Sequence, residues 1–140
     1  MRRRRALSLF AGVLLAPCAA RAQDPRGAAV QRVAREWLAL VDKLDAGASW
    51  KAAGERFQRA TPPALWVETL RREREPRGAL SQRTVAVTNF GYSGPDLPEG
   101  GNYALVRFHS AFANDPNGVE EVTLEVGSDY SWRVIGYVIQ

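Results

Sequence analysis

The chain has 140 residues, a formal net charge of +4 and a single cysteine. A length of this order predicts one folded domain rather than several. The basic excess lies at the N-terminus, since residues 1–22 hold five of the 19 lysines and arginines and no acidic residue. The remaining 19 − 5 = 14 basic residues face 15 acidic ones, so residues 23–140 carry a net charge of about −1. This balance argues against a nucleic-acid partner.

The N-terminus has the three parts of a secretory signal peptide. Four arginines, Arg2 to Arg5, precede an apolar run over residues 6–16, and Ala20-Arg21-Ala22 has the small-x-small pattern of a cleavage site. The apolar run is shorter than the roughly 20 residues that cross a bilayer. The sequence therefore predicts a signal peptide over residues 1–22 and a single α+β domain over residues 23–140. We expect a periplasmic or secreted protein with no stable membrane insertion after cleavage.

Cys18 suggests a second route of export. The run Leu15-Ala16-Pro17-Cys18 resembles a lipoprotein box, in which the cysteine becomes the lipidated first residue. Pro17 stands where a small residue is required, so lipidation is the less favoured alternative. Because Cys18 belongs to the signal segment, the exported domain has no disulfide, no thiolate nucleophile and no cysteine metal ligand.

Helical periodicity predicts three helices in the first half of the exported domain. Apolar residues recur at three- and four-residue spacing over residues 28–45, which is typical of a long amphipathic helix. Ser49 is a suitable N-cap for a second helix that ends near residue 59. A third helix follows Thr61-Pro62-Pro63, because proline fits the first turn of a helix, and it ends at Pro76.

After Gly78 the apolar residues alternate, which predicts β-strands. Four strands are expected, at about residues 81–91, 103–113, 119–127 and 131–139. The residues Asp115-Pro116-Asn117-Gly118 are typical of a tight turn, so we expect a hairpin between the second and third strands. The last strand is apolar on both faces and is therefore expected inside the sheet. These patterns predict three helices packed on a four-stranded antiparallel meander.

The predicted hairpin turn also predicts which side chains meet across the strands. On the core face, Phe108 would lie opposite Val126. On the other face, His109, the only histidine, would lie opposite Glu125, with Arg133 of the last strand beside it. A row of Arg133, Glu125 and His109 would then cross three strands.

This row has two interpretations. A carboxylate beside an imidazole favours the protonated ring and can orient it for acid–base chemistry. The favoured interpretation is a plain cross-strand ladder of charges, because no motif adds a nucleophile or a second carboxylate. We assign no catalytic residue, and one histidine does not make an ordinary metal site. The candidate binding residues on this face are His109, Glu125, Arg133 and Tyr137, with no cofactor implied.

The aromatic residues divide into two groups. The four tryptophans, at positions 37, 50, 66 and 132, fall on apolar faces of predicted elements, so we expect them to pack in the core. Tyr92, Tyr103 and Tyr130 lie near predicted loops and are better placed to form a stacking surface for sugars or bases.

The order and spacing of residues across the exported domain resemble one known family. The residues that carry the resemblance are Trp37, Asp42, Ser49, Trp50, Phe57, Trp66, Leu70, Arg74, Gly78, Arg83, Tyr103, Phe108, Phe112, Glu120, Val122, Trp132, Gly136 and Tyr137. The chain is similar to the bacterial exported proteins grouped as domain of unknown function 4019. It departs from them where Ala48 replaces a tyrosine, Arg77 replaces an apolar residue and Tyr130 replaces a glycine.

The resemblance implies an exported α+β domain of three helices and an antiparallel sheet, similar to cystatin-like or nuclear-transport-factor-like folds. It implies no established activity and no catalytic residues. Our leading hypothesis is a non-enzymatic domain that binds a small ligand or another envelope protein through the sheet face or its loop rim. The alternative is a small hydrolase or isomerase that uses His109 and Glu125 in a pocket between helices and sheet.

Overall fold

The computed structural model describes residues 24–140, so the predicted signal peptide and Cys18 lie outside the described residues. Four α-helices come first: α1 (Pro25–Asp42), α2 (Ala46–Ala52), α3 (Glu55–Ala60) and α4 (Pro63–Thr69). Four strands follow: β1 (Leu80–Phe90), β2 (Tyr103–Phe112), β3 (Asp115–Val126) and β4 (Trp132–Ile139). Within residues 24–140, no helix is long and apolar enough to cross a membrane.

The first helix, α1, forms as its sequence predicts. Asp24 caps it, since its side chain accepts a hydrogen bond from the Arg26 amide at 2.9 Å, and Pro25 occupies the first turn. One stripe of the helix is buried and includes Val30, Ala34, Trp37, Leu38 and Val41. These positions follow the 3.6-residue period, so α1 packs against the sheet along one face and keeps its charged side in solvent.

The predicted second helix is divided into α2 and α3. The chain becomes extended at Ala53, whose ψ is 163°. Gly54 then approaches β4, and its amide donates to the carbonyl of Val134 at 2.7 Å. A β-carbon at Gly54 would lie only 3.2 Å from the side chain of Arg133. Glycine therefore permits the close approach that interrupts the helix.

The predicted third helix consists of α4, a π-helical turn (Leu70–Arg74) and a 3-10 turn (Glu75–Arg77). The π-helical turn ends at Arg74, whose side chain is buried in the interior. Gly78 follows with a φ of 78°, a left-handed conformation that favours glycine, and leads the chain into β1.

The strands form one open antiparallel sheet in the order β1-β2-β3-β4. The helices cover one face of it, which confirms the predicted α+β class with helices first and a meander second. The buried core between the two layers consists of Val30, Ala34, Trp37, Leu38, Val41, Ala53, Phe57, Trp66, Leu70, Ala104, Val106, Phe108, Val122, Leu124 and Val134.

The hairpin between β2 and β3 turns at Ala113 and Asn114 and not at residues 115–118, so the predicted turn is wrong. The amides of the two turn residues donate to carbonyls of Ala79 and Arg77, each at 2.9 Å. These acceptors belong to the segment before β1, more than 30 residues away in the sequence. The local sequence around the turn contains no sign of them.

The sheet accommodates the Pro-Asn-Gly run inside β3. Strand β4 ends opposite Glu120, so Pro116 lies beyond it and its missing amide hydrogen removes no ladder bond. Gly118 lies opposite Ser110, where a β-carbon would be 2.8 Å from the Ser110 carbonyl oxygen. The glycine that suggested a turn instead allows two strands to pair closely.

The register of this hairpin is displaced from the predicted one, yet the predicted core face is retained. Phe108 lies opposite Glu120 rather than Val126. Because the displacement is an even number of residues, each side chain keeps its face of the sheet. Phe108 and Val122 are accordingly buried, as the alternation predicts.

The last strand, β4, lies at the edge of the sheet, so its expected interior position is wrong. Its apolar residues are covered from the side by the junction between α2 and α3. A β-bulge leaves Ile135 without a partner on β3, and this extra residue reverses the faces beyond it. Tyr137 therefore faces the helices, the opposite of its predicted orientation, and Val138 faces solvent.

Candidate functional site

The predicted row of His109, Glu125 and Arg133 does not form. His109 lies opposite Val119, whereas Glu125 lies opposite Tyr103, six residues away along β2. At ~3.4 Å per residue, this separates His109 from Glu125 by about 20 Å. Arg133 does lie beside Glu125, as predicted. The row that crosses the strands is therefore Tyr103, Glu125 and Arg133.

The two charged candidates bind other side chains. Glu125 accepts hydrogen bonds from Arg56 of α3 at 2.9 and 3.3 Å. Arg133 donates to Asp129, in the turn before β4, at 3.0 Å. The predicted ladder of charges is thus replaced by two separate ion pairs. A role in binding for the four candidate residues stays a prediction.

His109 is exposed at a shallow depression of about 460 Å³ on the outer face of the sheet. The side chains around it include Gln82, Thr84, Asn117 and Val119, and none of the lining residues carries a carboxylate, an amine or a guanidinium. A neighbouring carboxylate orients an imidazole and favours its protonated form. The residues that line the depression do not supply one to His109.

Tyr137, the fourth candidate, takes part in a buried polar network. Its hydroxyl donates to Oε2 of Glu120 on β3 at 2.7 Å. Glu120 is completely buried. Burial of the phenol, together with the negative charge of Glu120, raises the pKa of Tyr137 well above its usual range. Tyr137 is therefore a protonated donor inside the fold rather than part of the outer sheet face.

Arg83 of β1 joins Glu120 to Asp42 at the end of α1. Its guanidinium donates to Oε1 of Glu120 at 2.6 and 2.9 Å and to the two carboxylate oxygens of Asp42 at 2.8 and 3.0 Å. Burial alone lowers the pKa of Arg83, but its hydrogen bonds and the two negative charges outweigh this effect and raise it. Arg83 is thus a buried cation shared by two carboxylates.

Arg74 completes this charge cluster, which consists of Asp42, Arg74, Arg83 and Glu120. Arg74 donates to Oδ1 of Asp42 at 3.1 Å and to the Gly78 carbonyl at 2.7 Å. Two cations and two carboxylates balance one another, as buried charges require. All four residues are among those that carry the family resemblance. The charge cluster joins the helices to the sheet.

A cleft with aromatic residues in its lining, the α1–β4 groove, has a volume of about 490 Å³ and lies between α1 and the start of β4. Its apolar lining comprises Ala29, Val33, Trp37, Leu40, Trp132 and Val134. Its polar and aromatic rim comprises Arg32, Glu36, Tyr130 and Arg133. A cleft of this size, apolar inside with a few polar groups at its edge, is typical of small-ligand sites.

Trp132 differs from the other tryptophans in the hydrogen bonding of its indole N–H. Those of Trp37 and Trp66 donate to Ser49 at 2.8 and 2.9 Å, and that of Trp50 donates to a backbone carbonyl at 2.7 Å. No acceptor for Trp132 is present among residues 24–140. Trp132 is half-buried and lines the groove, and its indole N–H is free of a protein acceptor in the described residues.

Tyr130 stands at the rim of the groove, 89% exposed, with a φ of 60°. A left-handed conformation costs a residue with a β-carbon roughly 1–2 kcal/mol. The Tyr130 amide closes a tight turn onto the Gly127 carbonyl at 3.0 Å, and glycine is the usual residue at such a position. Tyr130 therefore holds an exposed aromatic ring at the rim of the groove at a cost in backbone strain.

The fold defines an α+β domain in which four helices cover one face of an open four-stranded sheet. In the described part of the chain, no three His, Cys, Asp or Glu side chains are placed to hold a metal ion. The family model described as protein of unknown function (DUF4019) matches residues 33–137, and the chain belongs to this family, as the resemblance predicted. Comparisons with curated proteins and with solved structures gave no match.

Proposed function

We propose that this protein is an exported, non-enzymatic domain that binds a small ligand or another envelope protein through the α1–β4 groove. One observation carries the proposal: the groove is lined by Trp132, whose indole N–H has no acceptor among residues 24–140, and by the exposed ring of Tyr130, whose backbone is left-handed. Arg133, a candidate from the sequence, also lines this groove. Binding therefore moves from the outer sheet face to the loop rim beside α1.

The enzyme alternative has less support. A hydrolase or isomerase using His109 and Glu125 requires the two side chains within hydrogen-bond reach, directly or through one water. They lie about 20 Å apart by strand rise, and Glu125 is already bound by Arg56. The surroundings of His109 supply no replacement base.

Export follows from the N-terminal sequence and has a direct test. The full chain is expressed in a bacterial host with an outer membrane, and the mass of the protein is measured by mass spectrometry in the osmotic-shock, membrane and cytoplasmic fractions. The expected mass is that of a chain beginning at Gln23. A full-length chain retained in the cytoplasm would contradict export, and a lipid-modified mass beginning at Cys18 would identify the lipoprotein alternative.

Binding is tested with a matched pair of variants on α1. Ala29 lines the groove, whereas Ala39 is exposed on the same helix and does not line it. Ala29→Phe adds a ring to the groove wall and should abolish binding of any compound or purified envelope protein that raises the melting temperature of the wild type. Ala39→Phe should bind normally. Equal binding by both variants would place the site elsewhere.

A further inference from the structure

The charged side chains at the rim of the α1–β4 groove occur in matched pairs. Arg32 pairs with Glu36 at 3.2 Å, and Arg133 pairs with Asp129 at 3.0 Å. Arg32 and Glu36 both line the groove, and Asp129 lies just outside it, so each rim cation already has a counterion within the protein. An uncharged ligand complements this rim without disturbing either pair.

The same rim is rich in both donors and acceptors of hydrogen bonds. The guanidiniums offer only donors, the carboxylates only acceptors, the Trp132 indole one donor, and the Tyr130 hydroxyl both. A ligand that satisfies this mixture needs groups that donate and accept at once. Hydroxyl groups do so, and several around one ring would reach several rim groups together.

The aromatic residues of the groove favour a ligand that has a flat apolar face. Trp132 is held in place by packing against Phe90, with ring centres 6.1 Å apart, and Tyr130 projects beside it from the turn. Both rings combine a broad apolar surface with one polar group. The C–H face of a sugar ring packs on such a surface while its hydroxyls remain at the edge.

We propose that the α1–β4 groove binds a short neutral saccharide, stacked on Trp132 and Tyr130 and hydrogen-bonded to the charged rim. The proposal rests on the binding function proposed above and names its ligand class. A fatty acid would lack a free cation for its carboxylate, since Arg32 and Arg133 are both paired. A flat heterocycle would stack but has fewer groups that both donate and accept.

The test uses the indole N–H resonances of the four tryptophans in the ¹⁵N-labelled exported domain. The Trp132 resonance is assigned by its absence in Trp132→Phe. The probes are di-N-acetylchitobiose, maltose and cellobiose, with adenine and decanoate as the non-saccharide probes. At least one saccharide should shift the Trp132 resonance in a saturable manner, while the resonance of the buried Trp66, which does not line the groove, moves little. Adenine and decanoate should not shift it.

A substitution that keeps the protein folded then tests the stacking contact without disturbing the fold. Tyr130→Gly removes the exposed ring and relieves its backbone strain, and it should weaken saccharide binding about tenfold or more. Leu44→Gly is the matched control, because Leu44 also has a positive φ, of 56°, but lies away from the groove. It should bind as the wild type does.

The outcomes distinguish the two proposals. If adenine or decanoate shifts the Trp132 resonance and no saccharide does, the groove binds ligands but the saccharide class is wrong. If neither the probes nor a wider ligand screen moves it, both proposals fail. If a saccharide binds equally well to Tyr130→Gly, the stacking geometry is overturned.

Discussion

Replacement of Arg83 by methionine should destabilise the protein by about 3–5 kcal/mol, the usual cost of removing one member of a buried ion pair. Glu120 has an exposed fraction of 0% and would keep only the Tyr137 hydroxyl as a partner. Asp42 would keep Arg74 and suffer less. At ~3–6 °C per kcal/mol for a domain of this size, the melting temperature should fall by roughly 10–25 °C. Urea denaturation followed by tryptophan fluorescence measures the loss.

Two further variants show whether the loss of stability comes from the unpaired carboxylate of Glu120. Arg83→Met/Glu120→Met removes both charges and should recover most of the stability, because no unpaired charge remains buried. Arg107→Met is the surface control: Arg107 pairs with Glu121 at 2.7 Å on the outer face, and its loss should cost less than about 1 kcal/mol. An Arg83→Met variant no less stable than Arg107→Met would refute the reasoning.

Four other substitutions have defined outcomes. Tyr130→Gly should raise the melting temperature by about 2–5 °C, because relief of the left-handed backbone strain outweighs the greater flexibility of glycine in the unfolded chain. Leu44→Gly should raise the melting temperature similarly. A lower melting temperature for both variants would show that these backbones are not strained. Gly118→Ala should cost about 1–3 kcal/mol in urea denaturation, because its β-carbon would lie 2.8 Å from a backbone oxygen. Tyr137 has a raised pKa, so its contribution is complete below pH about 10 and is lost as pH rises through its folded pKa. Tyr137→Phe should therefore lose less stability between pH 9 and 12 than the wild type, as measured by thermal unfolding.

The sequence predicted well those features that depend on repeating patterns. The stripe from Val30 to Val41 identified the buried face of α1, and the alternation in β2 identified Phe108 as a core residue. Both follow from periods of 3.6 and 2 residues, which tertiary contacts reinforce. The helix break at Gly54 had a sign in the sequence, a glycine inside a helical pattern, which the prediction of one helix over residues 49–59 passed over.

Features that depend on distant contacts were not predictable in this way. The turn at Ala113 and Asn114 is held by backbone acceptors of the segment before β1. The bulge that turns Tyr137 inward cannot be recognised from the alternation of apolar and polar residues in β4. The charge cluster had one sign in the sequence: Glu120 shares the parity of the buried Val122. Charged residues are usually assigned to solvent, so this sign carried little weight.

The candidate site was likewise only partly predictable from the sequence. The sequence placed Tyr130 near a loop, at a position where the family has a glycine. It could not place Tyr130 beside α1, because the groove forms only when the last turn packs next to residues some 100 positions earlier. The unpaired indole of Trp132 is likewise a property of the folded surroundings and not of the local sequence.

The charge cluster also affects which strand alignment the chain can adopt. Slipping a strand by two residues leaves every apolar side chain on its own face, so hydrophobic burial distinguishes poorly between such alignments. The same slip of β3 would separate Arg83 from Glu120, so that Arg83 would keep only Asp42 and the buried carboxylate of Glu120 would have no cation. Their pairing should therefore select one alignment among several with similar apolar burial. The double methionine variant would then retain stability but show additional amide resonances from slipped forms, and a single set of sharp resonances would contradict this role.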